Sequence, residues 1–299
     1  MTDWIVAIEG TPEGRTAAMA LALLAAVAHA VFGALQKGRH DPWLTRAAID
    51  GWIFLLAAPV ALFVVPWPEG RVWALLVGAI GIHFVYKVLM AMAYSRAAFT
   101  VVYPVVRGTG PLATVAVASA VFAERYSALQ WLGVLLLSGG ILSLALVNLR
   151  GATIGRPDLR AGLAIAFLAG LSVAVYTTYD AYGIRATPDP FTFLAWFFFF
   201  TAVDFPLIGL WRYTRMSAPP DLGPLLRRGF AGALIAFVSF GAVMLATRLD
   251  KVGEAAVLRE TSVVFAALIG WLFLHERVGP VRAALVALIA LGAIVVEFG

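Results

Sequence analysis

Residues 101–125, VVYPVVRGTGPLATVAVASAVFAER, have a counterpart 152 positions further on in residues 253–277, GEAAVLRETSVVFAALIGWLFLHER. Arg107 falls on Arg259, Thr109 on Thr261, and Glu124-Arg125 on Glu276-Arg277. Laid without a gap, 91–147 over 243–299 adds Arg96/Arg248 and Gly140/Gly292 and gives ten identities. All four charged residues of the first segment, Arg96, Arg107, Glu124 and Arg125, are matched. Apolar tracts align with one another by composition alone; charges do not. The charge register therefore marks an internal repeat.

The surrounding composition says where such a repeat belongs. The chain of 299 residues is 62% hydrophobic and 13% charged, with a mean hydropathy of +0.91. Soluble domains carry about 25% charged residues, so this is neither a water-soluble enzyme nor a disordered chain. Without cysteine there is no disulfide framework, thiol nucleophile or thiolate metal site. The net charge of +5 resides mostly between apolar blocks, which points to membrane orientation and away from nucleic acid.

A hydrocarbon core of about 30 Å takes roughly 20 helical residues. Ten blocks meet that length: 16–35, 47–66, 72–95, 98–122 and 128–149, then 160–181, 190–212, 225–248, 254–275 and 281–298. Turn chemistry separates them at Asp41-Pro42, Pro66-Trp67-Pro68, Pro157-Asp158, Asp189-Pro190 and Pro219-Pro220. The stretch ending in Ala28-His29-Ala30 lacks the positive flank of a signal peptide, carrying Asp3, Glu9 and Glu13 against Arg15, and reads as a spanning helix. The halves are 1–154 and 155–299, with five helices each. Five is odd, so the second copy crosses the bilayer upside down. The expected fold is an all-α integral membrane protein, ten transmembrane helices as two inverted five-helix repeats around a central cavity, with a site near mid-membrane.

The Glu-Arg endings of the fourth and ninth blocks, the prolines Pro104 and Pro111, and Gly133, Gly139, Gly140 and Gly292 in the helices that follow resemble the drug/metabolite transporter superfamily. His83, Tyr86, Lys87 and Tyr103 make the chain most similar to its bacterial amino-acid and metabolite exporters, those of aromatic amino acids in particular. The resemblance covers essentially the whole chain and implies alternating access in a bacterial inner membrane.

Ionisable residues inside the blocks are costly, so they face a cavity or a partner. His83, Tyr86, Lys87, Met90 and Tyr94 share one helix face, either a wall of the substrate cavity or a polar stripe satisfied by neighbours. Arg107, one turn from Tyr103, and its mate Arg259 are candidates to hold a carboxylate; alternatively they pair with Glu260, Asp180 or Asp204. Tyr176 shares a face with Asp180, which is expected at a helix end in water. In the seventh block Trp196, Phe200 and Asp204 share a face within a Phe-rich run that is expected to face lipid, Asp204 before Pro206 excepted; His29 is expected to be a satisfied structural histidine, and Glu124 and Glu276 to make structural contacts.

The expected substrate-binding set is thus His83, Tyr86, Lys87, Tyr94, Tyr103, Arg107, Tyr176 and Arg259. It would serve an exporter of amino acids such as phenylalanine or methionine, acting as a monomer and coupled to protons through His83 or passively. A bulky-cation exporter and a lipid-modifying membrane enzyme are the alternatives. There is no phosphate-binding Gly-Lys loop, no histidine spacing for a metal and no nucleophile elbow; no cofactor is expected.

Of 22 Lys and Arg, Lys87, Arg107 and Arg259 lie inside blocks. Thirteen of the others lie on one side and six on the side that carries the N-terminus. Positive loops stay cytoplasmic, so both termini are expected to be periplasmic. Alkaline phosphatase fused to the C-terminus should be active and green fluorescent protein dark; the converse pattern reverses the topology.

Overall fold

The computed structural model describes residues 3–36, 41–97, 99–149, 156–272 and 279–299. Arg277, Glu276 and the loop at 150–155 lie outside them. The helices are α1 (Asp3–Ile8), α2 (Pro12–Gln36), α3 (Pro42–Phe63), α4 (Arg71–Arg96), α5 (Phe99–Phe122), α6 (Ala128–Leu149), α7 (Arg156–Ala186), α8 (Pro190–Thr201), α9 (Asp204–Tyr213), α10 (Leu222–Leu249), α11 (Val252–Glu260), α12 (Ser262–Leu272) and α13 (Pro280–Phe298). No strand occurs among the described residues. Ten helical stretches are long and apolar enough to cross a membrane, α8 with α9 and α11 with α12 each making one crossing. The second begins at Pro42, five residues before the apolar block suggests, because the cap and not hydropathy sets its start.

That cap is an aspartate before a proline. Asp41 accepts hydrogen bonds from the backbone N–H of Trp43 (2.8 Å) and Leu44 (3.1 Å), and Pro42 takes the first position, where no donor is needed. Asp189-Pro190 repeats the device at the second helix of the other half, with Phe191 N–H donating to Asp189 at 3.1 Å.

Packing follows the repeat. α6 lies on α13; α2 on α10, as α4 on α7; α5 on α7, as α2 on α11 and α12; α3 on α10, as α4 on α8. Exchanging the halves carries each of these pairs onto itself or onto another in the set, the neighbour pattern an inverted five-helix repeat requires. Glycines bring α6 and α13 together. A Cβ at Gly292 would lie 2.7 Å from Gly133 O and 2.6 Å from Leu137 N, so the backbones touch directly.

The aromatic run of α8 is not lipid-facing, contrary to expectation. Phe193, Trp196, Phe197 and Phe198 are buried against α3, α4 and α10. A continuously apolar run carries no periodicity to tell its lipid face from its protein face; neighbours on several sides of α8 make the choice.

Gly292→Val should push α6 and α13 apart and cost at least about 1–3 kcal/mol, as overpacked interiors do. Gly139→Ala, where a Cβ meets nothing within 4 Å, should leave the protein unchanged. Thermal melting of both variants in detergent, followed by size-exclusion chromatography, checks the pair.

Candidate functional site

The breaks in the seventh and ninth crossings place the functional side chains. At the first, Pro206 has no N–H, and Phe205 N–H donates at 2.6 Å to the Asp204 side chain instead of continuing the ladder. The Thr201 carbonyl is left for another donor, and Lys87 Nζ on α4 takes it at 2.6 Å. The same ammonium donates to Asp50 Oδ2 at 3.0 Å and pairs with Asp204, while Phe205 lies beneath it at 5.1 Å. Arg46, one turn before Asp50, holds the other side of that carboxylate at 2.7 Å. Lys87 thus has an anionic setting made by the protein itself.

At the second break stand Arg259 and Glu260. Glu260 Oε1 accepts from Arg107 Nη1 of α5 at 2.9 Å and from Arg259 Nε at 3.3 Å, so one buried carboxylate serves both repeat-related arginines. Of the pairings expected for these arginines, the acceptor is Glu260. Arg107 also touches His29 Nε2, an acceptor role that puts the imidazole proton on Nδ1, 3.4 Å from Ser239 Oγ. Tyr103 stacks on His29, lies under the Arg107 guanidinium and reaches Ser262 Oγ at 3.4 Å.

Between these groups lies a dyad. His83 Nε2 is 2.8 Å from Asp180 Oδ2, with Tyr176 packed on the imidazole and Tyr86 on Tyr176. Asp180 is therefore not at a helix end in water: α7 continues six residues beyond it, and its side chain is 3% exposed. Asp180 Oδ1 and Glu260 Oε2 are buried and have no hydrogen-bond partner.

His29, Arg46, Asp50, His83, Tyr86, Lys87 and Ser239 line a central cavity of about 70 Å³, with Phe197, Phe198 and Phe240 as its apolar wall. That volume holds a few waters. Of the expected site residues, His83, Tyr86 and Lys87 line it directly. Tyr103, Arg107 and Tyr176 touch residues that do, and Arg259 connects through Glu260. Tyr94 packs with Tyr86 and Leu89 in the cluster between α4, α5 and α7. Sequence reading missed Asp50 and Arg46; the signal was there, an acid inside an apolar block with an arginine four residues before it. Around the cavity the charges balance in number, Arg46, Lys87, Arg107 and Arg259 against Asp50, Asp204, Asp180 and Glu260, with Arg46 and Asp204 partly exposed and Asp180 held by His83. No group of three metal-ligating side chains occurs among the described residues.

The end of the bundle that carries both termini is tied by polar contacts across helices. Arg248 donates to the carbonyls of Ile184 and Thr187 (the latter at 2.6 Å) and pairs with Glu9 at 3.3 Å. Arg185 donates to Thr247 O and Asp250 O at 2.8 and 2.7 Å. Glu124 accepts from Val252 N–H at 2.8 Å, capping α11. Tyr126 donates to the same carboxylate, and burial, with that charge beside it, holds the phenol above its usual range. At the opposite end Arg96, the repeat mate of Arg248, donates to Met92 O of its own helix at 3.1 Å. The halves are matched in sequence and unlike in engagement.

Residues 160–298 match the family model described as the EamA-like transporter family. Among solved structures 28 chains match. One, titled only as the crystal structure of a protein, is 20% identical with a TM-score of 0.69, over 96% of this chain and 98% of that one. It shares the fold. No curated protein matches.

Lys87→Met leaves Asp50 with Arg46 but strands Asp204 in the membrane; breaking a buried pair on one side costs about 3–5 kcal/mol. Thermal melting should show that loss in Lys87→Met and recovery of much of it in Lys87→Met/Asp204→Asn. Equal melting of the single variant and wild type removes the structural role of the pair.

Proposed function

Because residues 160–298 match the EamA-like transporter family and the chain has ten candidate membrane spans, we propose that this protein is a membrane transporter of small metabolites that exports amino acids by alternating access. The charge balance of the central cavity carries the reading. Arg46, Asp50 and Lys87 line it and the other cations and carboxylates stand just behind its walls, four of each in all, so a substrate with a lone charge would bind at the cost of an uncompensated charge in hydrocarbon. A zwitterion brings one of each sign. Its carboxylate can replace Glu260 at Arg107 and Arg259, or Asp204 at Lys87, and its ammonium can take the acceptor released. Tyr86, Tyr176, Phe197 and Phe240 supply ring faces for an apolar or aromatic side chain.

The cavity of about 70 Å³ is smaller than an amino acid, so loading requires helices to part. Among the described residues the terminus side carries more polar ties than the other mouth, where Arg212 meets Asp41 at 3.1 Å and Arg282 meets Asn148 at 3.0 Å, and this supports parting at that other mouth. With the termini periplasmic, that mouth is cytoplasmic, the loading side of an exporter. His83, at the cavity with Asp180 behind it, is the residue placed to pass a proton, since an imidazole can both accept and donate one.

Uptake into proteoliposomes of labelled phenylalanine, methionine, threonine and a quaternary cation tests this. Phenylalanine and methionine should move faster than threonine, and the cation should stay out. Transport of the cation with no amino acid moving overturns the proposal in favour of a drug exporter.

A further inference from the structure

A larger space lies away from the polar centre. Between α2, α3, α8 and α10 runs a groove of about 900 Å³, walled by side chains such as Leu24, Val60, Leu194, Phe237 and Val238, with Asp189 as its one charged lining residue. Leu24, Val60, Phe191, Leu234 and Val238 along it are exposed. These belong to the lipid-facing surface of spanning helices, so the groove is continuous with the interface between protein and bilayer.

Its depth can be read from the residues at each end. At the mouth, Asp189 caps α8 and Trp67 and Trp73, on either side of the Arg71 start of α4, pack at 6.4 Å, while Trp196 from deeper in α8 points its Nε1 up to Pro66 O at 3.1 Å. Clustered indoles with a polar end satisfied mark the headgroup level of a membrane protein. The inner end is Phe198. From Asp189 to Phe198 α8 rises about 14 Å at 1.5 Å per residue, half of a core of about 30 Å. The groove is one leaflet deep.

The chemistry narrows the occupant. Water needs two to four polar partners, and beyond the mouth the walls are side chains of Leu, Val, Ala and Phe. An extended peptide would bring amide groups with no donors or acceptors to meet them. An acyl chain needs neither. We propose that this groove is a lipid site: one acyl chain of a phospholipid from the terminus-side leaflet lies in it, with the headgroup end at Asp189 and the methyl end against Phe198. Phe198 also lines the central cavity and meets Phe237 edge-on at 4.7 Å. A single ring layer thus separates the bound chain from the polar site, and the lipid forms part of that site's backing. The inference stands independently of which substrate the protein carries.

The test uses the full chain in phosphatidylethanolamine/phosphatidylglycerol vesicles doped with one of two photoactivatable phospholipids, the diazirine near the carboxyl end or near the methyl end of the acyl chain. After irradiation, mass spectrometry maps the labelled residues. The carboxyl-end probe should label around Val64 and Phe191, and the methyl-end probe around Phe198 and Phe237. Both should exceed several-fold the labelling at Leu146, an exposed residue on α6. Gly241→Trp, where a Cβ meets nothing within 4 Å, and Val238→Trp should each fill the groove and lower its labelling several-fold with Leu146 unchanged. Groove labelling no higher than at Leu146, the same residues labelled by both probes, or labelling indifferent to both variants overturns the proposal. The ordering of the two probes needs no variant and decides the matter if either substitution prevents folding.

Discussion

A charge in hydrocarbon must find its opposite within the protein, and this one requirement organises the centre of the molecule. Lys87 of α4 meets Asp50 of α3 and Asp204 of α9. Arg107 of α5 meets Glu260 of α11, and His83 of α4 meets Asp180 of α7. Each of these clusters contains residues from both halves. The pairs that make the buried charges tolerable are therefore also fastenings between the two halves of the chain.

Backbone chemistry prepares those meetings. The seventh crossing breaks where Asp204 caps Phe205 and Pro206 withholds a donor, and the Thr201 carbonyl that becomes free is one of the ligands of Lys87. The ninth breaks beside Arg259 and Glu260. Non-helical backbone at membrane depth is tolerated where it is buried in protein or lines a cavity, and both breaks satisfy that condition. In the first half Pro59, Pro104 and Pro111 sit within unbroken helices. The repeat is thus kept in neighbour pattern and varied in local geometry.

The asymmetry between the two ends has the same origin. Arg248 and Glu124 are spent on carbonyls and a helix N-terminus across the bundle, whereas Arg96 turns back on its own helix. Among the described residues that second end is tied differently, by Arg212 to Asp41 at 3.1 Å and Arg282 to Asn148 at 3.0 Å, so two ends built from related sequences are fastened by unrelated pairs.

Hydropathy was enough to read ten crossings, because span length is imposed by bilayer thickness. The membership of His83, Tyr86 and Lys87 in one polar helix face was equally legible, since helical period alone puts them there. Their partners were not. Nothing local distinguishes Asp50 as a ligand of Lys87, Glu260 as the acid shared by Arg107 and Arg259, or Phe193 and Trp196 as core when a continuously apolar run is equally suited to lipid. Which acid reaches which base depends on how helices distant in the chain cross and on where a helix breaks. The sequence by itself determined how often the chain enters the membrane and which residues cannot stay there alone; only the tertiary structure decided with whom they pair, because pairing is a matter of distances between helices, and those are set by packing.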